Sequence, residues 1–311
     1  MSAPSSSTST GAPEVSGRVS REMTGSTLRR FRICAIQWPG VGLAGRSGGL
    51  RIGDFSQRVR RGAARVFAVR FRPGADTALA LATAVAFWFV YYLGARTPSP
   101  LAFLLFTVLG TGLLCVILPA YYMLVIRKEP LANLGITKRR WVLALALSAF
   151  FAAGSLPQLL AVAANEPDVD LTAHLLGNGL VFWEPFFVYG WLQLRFERAF
   201  GIVPGIVLAA LCFAGYHLGT FPLAAVAGFI VVGLLQGALF RAVGANLLVV
   251  WPLMATVGSA IGTLQGGFVF GWDSVPEAVA LLIVQLAAIA VFARWPGRRT
   301  ERSGQRRREG A

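Results

Sequence analysis

Charge is scarce in this chain. Only 14% of its 311 residues are Asp, Glu, Lys or Arg, 55% are hydrophobic, and mean hydropathy is +0.62. Soluble domains carry nearer ~25% charge, so a water-soluble globular fold is excluded. Histidine is scarcer still. His174 and His217 are the only two, which rules out a multi-histidine metal centre. The three cysteines, Cys34, Cys115 and Cys212, are scattered, with neither a disulfide framework nor a thiolate metal spacing. No metal and no cofactor is expected. No long internal or inverted repeat is visible, which counts against a repeat-built transporter using Glu184 as a proton site.

The charge that is present is unevenly placed. Residues 1–72 hold thirteen Arg against Glu14, Glu22 and Asp54, a balance of +10. Residues 294–311 hold seven Arg against Glu301 and Glu309, a balance of +5, while 73–293 balances to zero. The whole excess of +15 therefore lies in two tails flanking an apolar centre. Such tails set membrane orientation and attract anionic lipid, so the expected partner is the bilayer and not nucleic acid.

Residues 1–53, rich in Ser, Thr, Gly and Pro, read as disordered, with Met23 as an alternative start and no cleavable signal. Over 54–72, Phe55, Val59, Ala63, Val66 and Phe67 recur at helical spacing between arginines. That pattern fits a basic amphipathic helix on the inner leaflet; a plain positive-inside flank fits it equally. The tail 296–311 is basic and cytoplasmic. Between them lie eight candidate spans, at 76–95, 101–126, 141–164, 175–194, 202–219, 223–240, 245–261 and 278–295. With the N-terminus inside, the inner loops 127–140, 195–201 and 241–244 carry eight basic residues, and the outer loops carry Arg96 alone. The positive-inside rule demands that asymmetry. The expectation is an all-α polytopic bundle of about eight transmembrane helices, over 73–295, in the cell (plasma) membrane with both termini cytoplasmic. Gly233 with Gly237, and Gly258 with Gly262, form two Gly-x-x-x-Gly pairs expected at helix contacts.

Two ionisable residues interrupt the apolar centre. Glu184 lies about ten residues from either end of span 175–194, ~15 Å from each surface by helical rise. A charge there costs roughly 2.5–3.5 kcal/mol on insertion scales, which makes it a functional-site hypothesis. No basic residue lies one turn away, and Tyr189 and Trp191 are the nearby donors. A protonated Glu satisfied by a neighbouring helix, and a carboxylate acting as general base on water, both fit the residues. His217 shares a helical face with Phe213; it reads either as a structural hydrogen-bonder or as part of a site with Glu184. Gln236 is assigned to core hydrogen bonding and His174 to the outer interface.

The run Glu184-Pro-Phe-Phe-Val-Tyr189-Gly190-Trp-Leu192-Gln, followed thirty-odd residues after Glu184 by Phe213-Ala-Gly-Tyr-His217, resembles the signatures of the CPBP family. That family comprises the type II CAAX prenyl endopeptidases and the bacterial Abi, bacteriocin-processing intramembrane proteins. Its first signature reads Glu-Glu-x-x-x-Arg and its second Phe-x-x-x-His. Asn133-Leu-Gly-Ile-Thr upstream, and Gly233–Phe240, Arg241 and Asn246-Leu downstream, extend the resemblance over about 127–262. Pro185 stands at the second Glu, Tyr189 at the Arg, and no His occurs near Thr256–Ala260, where the third signature, His-x-x-x-Asn/Asp, is due. The resemblance implies an intramembrane endopeptidase acting on a membrane-embedded or lipidated peptide. Glu184 would activate water and His217 would hold that water or stabilise the oxyanion, with Tyr189, Phe213, Thr256 and Ser259 as supporting residues. The alternative is a catalytically inactive relative that binds a membrane partner or lipid through the same cavity.

Overall fold

The structure is a computed structural model in which residue 64 and residues 66–97, 100–166 and 168–295 are described. The expectations for 1–53, most of 54–72 and the tail 296–311 lie outside the described residues. Residues 66 and 67 are helical, and 68–74 are not.

Among the described residues the fold is all helix, without strands. Five helices are long and apolar enough to cross a membrane: α1 (Ala75–Gly94), α2 (Leu101–Ile126), α3 (Trp141–Ala163), α7 (Leu223–Ala242) and α9 (Val275–Ala293). Four shorter ones complete the set: α4 (Leu171–Gly179), α5 (183–200), α6 (Ile202–Gly215) and α8 (Leu253–Gln265). The long helices are apolar on every side but bury only one. On α1 the inward stripe is Ala80, Ala84, Phe87 and Val90, at helical spacing, while Leu81, Val85 and Phe89 face outward. Outward leucines and phenylalanines of this kind are what a lipid solvent accepts and water does not.

The expected span 175–194 is not one helix. Its chain breaks at 180–182, between α4 and α5. Proline lacks an N–H, so Pro185 fits only the first turn of a helix, and it marks the restart at Trp183. The expected span 202–219 stops at Gly215, 14 residues or ~21 Å of rise. In 245–261, Ala245 has φ +59°, Asn246 caps a short turn at Leu247–Val249, and α8 starts only after Pro252. The five long helices stand; the eight-span count does not follow from helix length.

Helix α5 is the axis of the bundle. Residues 185–197 are buried without a gap, so it has no outward face. Its N-terminal half winds with wide, π-type bonds over Phe186–Gln193. Around it, Phe87 of α1 packs its ring 5.2 Å from Trp183 and 5.7 Å from Phe187. On another side α6 and α7 cross closely: a Cβ on Gly233 would lie 3.0 Å from Ala210 Cα, and one on Gly237 3.1 Å from Ile206 Cγ2. That glycine pair serves contact, as expected. Gly258 and Gly262 do not: a Cβ on Gly258 would meet nothing within 4 Å, and one on Gly262 only Phe229, at 3.8 Å. Their missing side chains leave space instead.

Gly190 is the tightest point on the axis, because a Cβ there would sit 2.5 Å from the Leu134 carbonyl oxygen, which is backbone and has little room to retreat. Gly190→Ala is therefore expected to destabilise the protein by about 1–3 kcal/mol. Gly154→Ala, in the middle of α3 with open space around it, is expected to be neutral or stabilising by up to ~1 kcal/mol. Thermal unfolding of the two variants in detergent checks both; equal midpoints would contradict the packing at Gly190.

Candidate functional site

The break before α5 decides what kind of place Glu184 occupies. It is not in the middle of a helix but in the first turn of one, where the unpaired backbone N–H groups present partial positive charge. No lysine or arginine lines the space around it. Glu184 Oε1 accepts a hydrogen bond of 2.6 Å from Tyr216 Oη, and Oε2 lies 3.5 Å from Ser259 Oγ. Tyr189 and Trp191, the donors expected from sequence, are engaged elsewhere. Tyr189 Oη donates to Gln236 Oε1 at 2.7 Å, and Trp191 Nε1 to Thr83 Oγ1 at 3.0 Å. The wide winding of α5 and the reach of each side chain send them to α7 and α1.

Glu184 lines a cavity of about 200 Å³ between α5, α6, α7 and α8. Tyr189, Phe213, His217 and Ser259 line it with Glu184; Thr256 does not. Thr256 Oγ1 turns back to the Pro252 carbonyl instead, a local bond that holds the first turn of α8. Gly258 and Gly262 form part of the wall, and a Cβ at either would take up cavity space.

His217 enters from the turn that follows α6. Its Nδ1 lies 2.8 Å from the Phe213 carbonyl oxygen, so Nδ1 carries the proton and donates. Nε2 has no hydrogen-bond partner among the described residues and holds a free lone pair. The ring lies between Tyr216 and Phe229, with centroids at 4.3 and 4.4 Å. The turn is pinned from α1 and the turn that follows it: Trp88 Nε1 donates to Leu218 O at 3.3 Å, and Arg96 Nη2 to Gly219 O at 2.6 Å. No hydrogen bond joins His217 to Glu184. Tyr216 stands between them in the sequence of contacts, bonded to one and stacked on the other.

Three residues near this cavity escaped the sequence reading. Tyr216 is one; its signal was only adjacency to His217. Asn178 and Thr263 are the others, and both line the cavity. They belong to a network around His174, which is fully buried. His174 Nδ1 accepts from Phe270 N at 3.1 Å, so Nε2 is the protonated nitrogen and donates to Ala260 O at 3.1 Å. Asn178 Nδ2 donates to His174 O at 2.9 Å. The four-residue spacing of His174 and Asn178 on a capped helix was the legible clue.

Chemically, the cavity offers one carboxylate, one imidazole lone pair and one hydroxyl, Ser259, inside an aromatic wall. Glu184 and His217 both line it, with no hydrogen bond between them. As an oxyanion donor His217 fits poorly in this tautomer, since its free nitrogen accepts. Among the described residues no three His, Cys, Asp or Glu side chains are grouped to hold a metal ion.

Removing the hydroxyl that anchors the carboxylate, in Tyr216→Phe, is expected to cost about 1–3 kcal/mol, the usual price of an orphaned buried acceptor. Chemical denaturation reads it, and a Glu184→Gln, Tyr216→Phe double-mutant cycle separates the pair from its surroundings. Asp170 gives a pH signature. It caps α4 through Thr172 N at 2.9 Å and Ala173 N at 3.1 Å. The Ala173 N–H, then the Trp272 indole N–H, hold its carboxyl below the ordinary value. A lowered native pKa stabilises above the unfolded value and is lost as pH falls past it. Thermal stability should fall as pH drops below about 4, and fall less steeply in Asp170→Asn.

Set beside family models, curated proteins and solved structures, the chain matches none of them, and the functional reading rests on the geometry above.

Proposed function

We propose that this chain is an intramembrane endopeptidase of the CPBP type, acting on a membrane-embedded or lipidated peptide. One observation carries the reading: Glu184, with no cation beside it, shares a membrane-level cavity with the free nitrogen of His217. A water held between them loses a proton to Glu184 as its oxygen attacks the peptide carbonyl carbon. The C–N bond then breaks, and Glu184 returns the proton to the departing amine. Tyr216 keeps one carboxylate oxygen fixed, and the other, 3.5 Å from Ser259, is left to take the proton. General-base assistance of this kind contributes about 10²–10⁴-fold in rate.

The same proposal extends to the membrane. Taking α4 with α5 as one crossing, and α6 and α8 as short crossings inside the bundle, the chain passes the bilayer eight times. The basic loops then lie on one side, with both termini cytoplasmic and the cell membrane as the site of action. Lipid and a membrane peptide are the partners, and no nucleic acid is among them.

A second reading, an inactive relative that binds a membrane peptide or lipid, is favoured by one feature. His217 Nε2 accepts rather than donates and Thr256 faces away, so Ser259 is left to meet a developing oxyanion, a role worth ~2.7–4 kcal/mol per donor. Reconstituted protein incubated with membrane-spanning and C-terminally lipidated peptides separates the two. The endopeptidase predicts cleavage that falls at least 100-fold in Glu184→Gln and is lost in His217→Ala. Equal cleavage in all three proteins, or peptide retained uncut by the wild type, would remove the enzymatic reading.

A further inference from the structure

A second cavity, of about 400 Å³, lies at the far end of α5, some eleven residues or ~16 Å from Glu184. Arg70, Arg195, Arg198 and Arg241 line it, together with Glu197 and the turn at Gly201. Its chemistry is the reverse of the first cavity: cations dominate, and aromatic rings are missing from its lining.

Two of the four guanidinium groups are already matched. Arg198 forms a two-pronged pair with Glu129, with Nη1–Oε1 2.7 Å and Nη2–Oε2 2.6 Å. Arg241 Nη1 lies 3.6 Å from Glu197 Oε2, and the other Glu197 oxygen accepts from Gln193 Nε2 at 2.8 Å. The Glu197 carboxylate is thus occupied and does not define the cavity's charge.

The other two are matched less fully. Arg195 is 1% exposed. Its Nη2 donates to Asn133 O at 2.7 Å and its Nη1 reaches Met123 Sδ at 2.7 Å, while Glu129 Oε2 is 3.8 Å away and Nε has no partner. A buried guanidinium with one nitrogen orphaned and its counter-charge shared with Arg198 is costly as it stands. Arg70 is exposed at the rim and has no ion pair, although its backbone N–H is fixed to Phe200 O at 2.9 Å. Between them starts α6, a 14-residue helix whose first turn has no side-chain cap. Gly201, at φ +102°, makes that start possible; a Cβ there would collide with the Ala68 carbonyl. Free N–H groups and the positive helix end add to Arg70 and to Arg195, whose only counter-charge is shared.

We infer that this cavity is a phosphate-binding site, taking the phosphate of an anionic lipid headgroup or free inorganic phosphate. Arginine forks and a helix N-terminus are the groups that recognise phosphate oxygens by geometry as well as charge. The cavity also sits beside the loops 127–140 and 241–244, where the chain concentrates its basic residues within the bundle. The site does not depend on the Glu184 reading, and an inactive protein would retain it.

Full-length protein in zwitterionic detergent is titrated with dioctanoyl phosphatidylglycerol, with dioctanoylglycerol, which lacks phosphate, and with inorganic phosphate. Phosphatidylglycerol is expected to bind and dioctanoylglycerol not. Arg195→Gln and Arg70→Gln should each weaken binding about tenfold, the loss of one charged hydrogen bond. Arg294→Gln, which does not line the cavity, should leave it unchanged. Because Arg195 is buried, its variant is checked by melting temperature; Arg70, whose side chain is exposed, carries the test if Arg195→Gln fails to fold. Binding of inorganic phosphate that competes with the lipid assigns free phosphate, and lipid binding without such competition assigns the headgroup. If neither probe binds, or if Arg294→Gln weakens binding as much as the cavity variants do, the inference is overturned.

Discussion

Glu184 brings a carboxyl group among Trp183, Tyr91, Phe106 and Phe213 with no cation lining the space. A polar group buried without partners costs several kcal/mol, so the surroundings must supply donors by other means. They do so twice, through the Tyr216 hydroxyl at 2.6 Å and the Ser259 hydroxyl at 3.5 Å. The Tyr216 hydroxyl is only as well placed as the turn after α6, which Trp88 and Arg96 hold from α1 and the turn that follows it. The turn also delivers His217. One hydrogen bond of 2.6 Å therefore ties the registers of α1, α5 and α6 to each other. The ring of Phe87, 5.0 Å from Tyr216 and 5.2 Å from Trp183, fills the space between the same three helices.

The bundle separates its polar groups by depth. At the Glu184 end they are one carboxyl group among hydroxyl, amide and imidazole side chains, with no lysine or arginine. At the other end of α5 they are ions: Arg195, Arg198 and Glu129, with Glu197 and Arg241 one turn away. An ion pair that is partly solvated contributes little, whereas the same charges within the aromatic cavity would be strongly unfavourable. The axis helix can be buried without a gap over 185–197 because, Glu184 apart, its ionisable residues come in its last two turns. That division lets one helix serve a dry site and a wet one.

What could be read from sequence followed the rules that are local in sequence. Hydrophobic length found the five long helices, and a lone carboxyl in an apolar run picked out Glu184. Pro185 was visible too, but as a departure from a motif and not as the start of a helix. Gly-x-x-x-Gly could not say which pair packs and which leaves a space; Gly233 meets Ala210, and Gly258 meets nothing. The partner of Glu184 was hidden for a related reason. Tyr189 is near in sequence and Tyr216 is 32 residues away, and helix packing chose the distant one. Thr256 shows the converse, a hydroxyl close to the site that bonds to its own helix.

The two histidines show how a site differs from a scaffold in the same interior. His174 uses both ring nitrogens, one accepting from Phe270 N–H and the other donating to Ala260 O, so its tautomer is fixed from both sides. It joins α4 to α8 and has nothing left to offer a ligand. His217 uses one nitrogen, on its own helix, and keeps the second free beside the cavity. An unused lone pair within an aromatic cage is an unfavourable arrangement unless water or a ligand meets it. The same holds for the Glu184 oxygen whose nearest donor, Ser259, is 3.5 Å away. Both acceptors belong to residues that line the same cavity, so a donor entering it can meet either one.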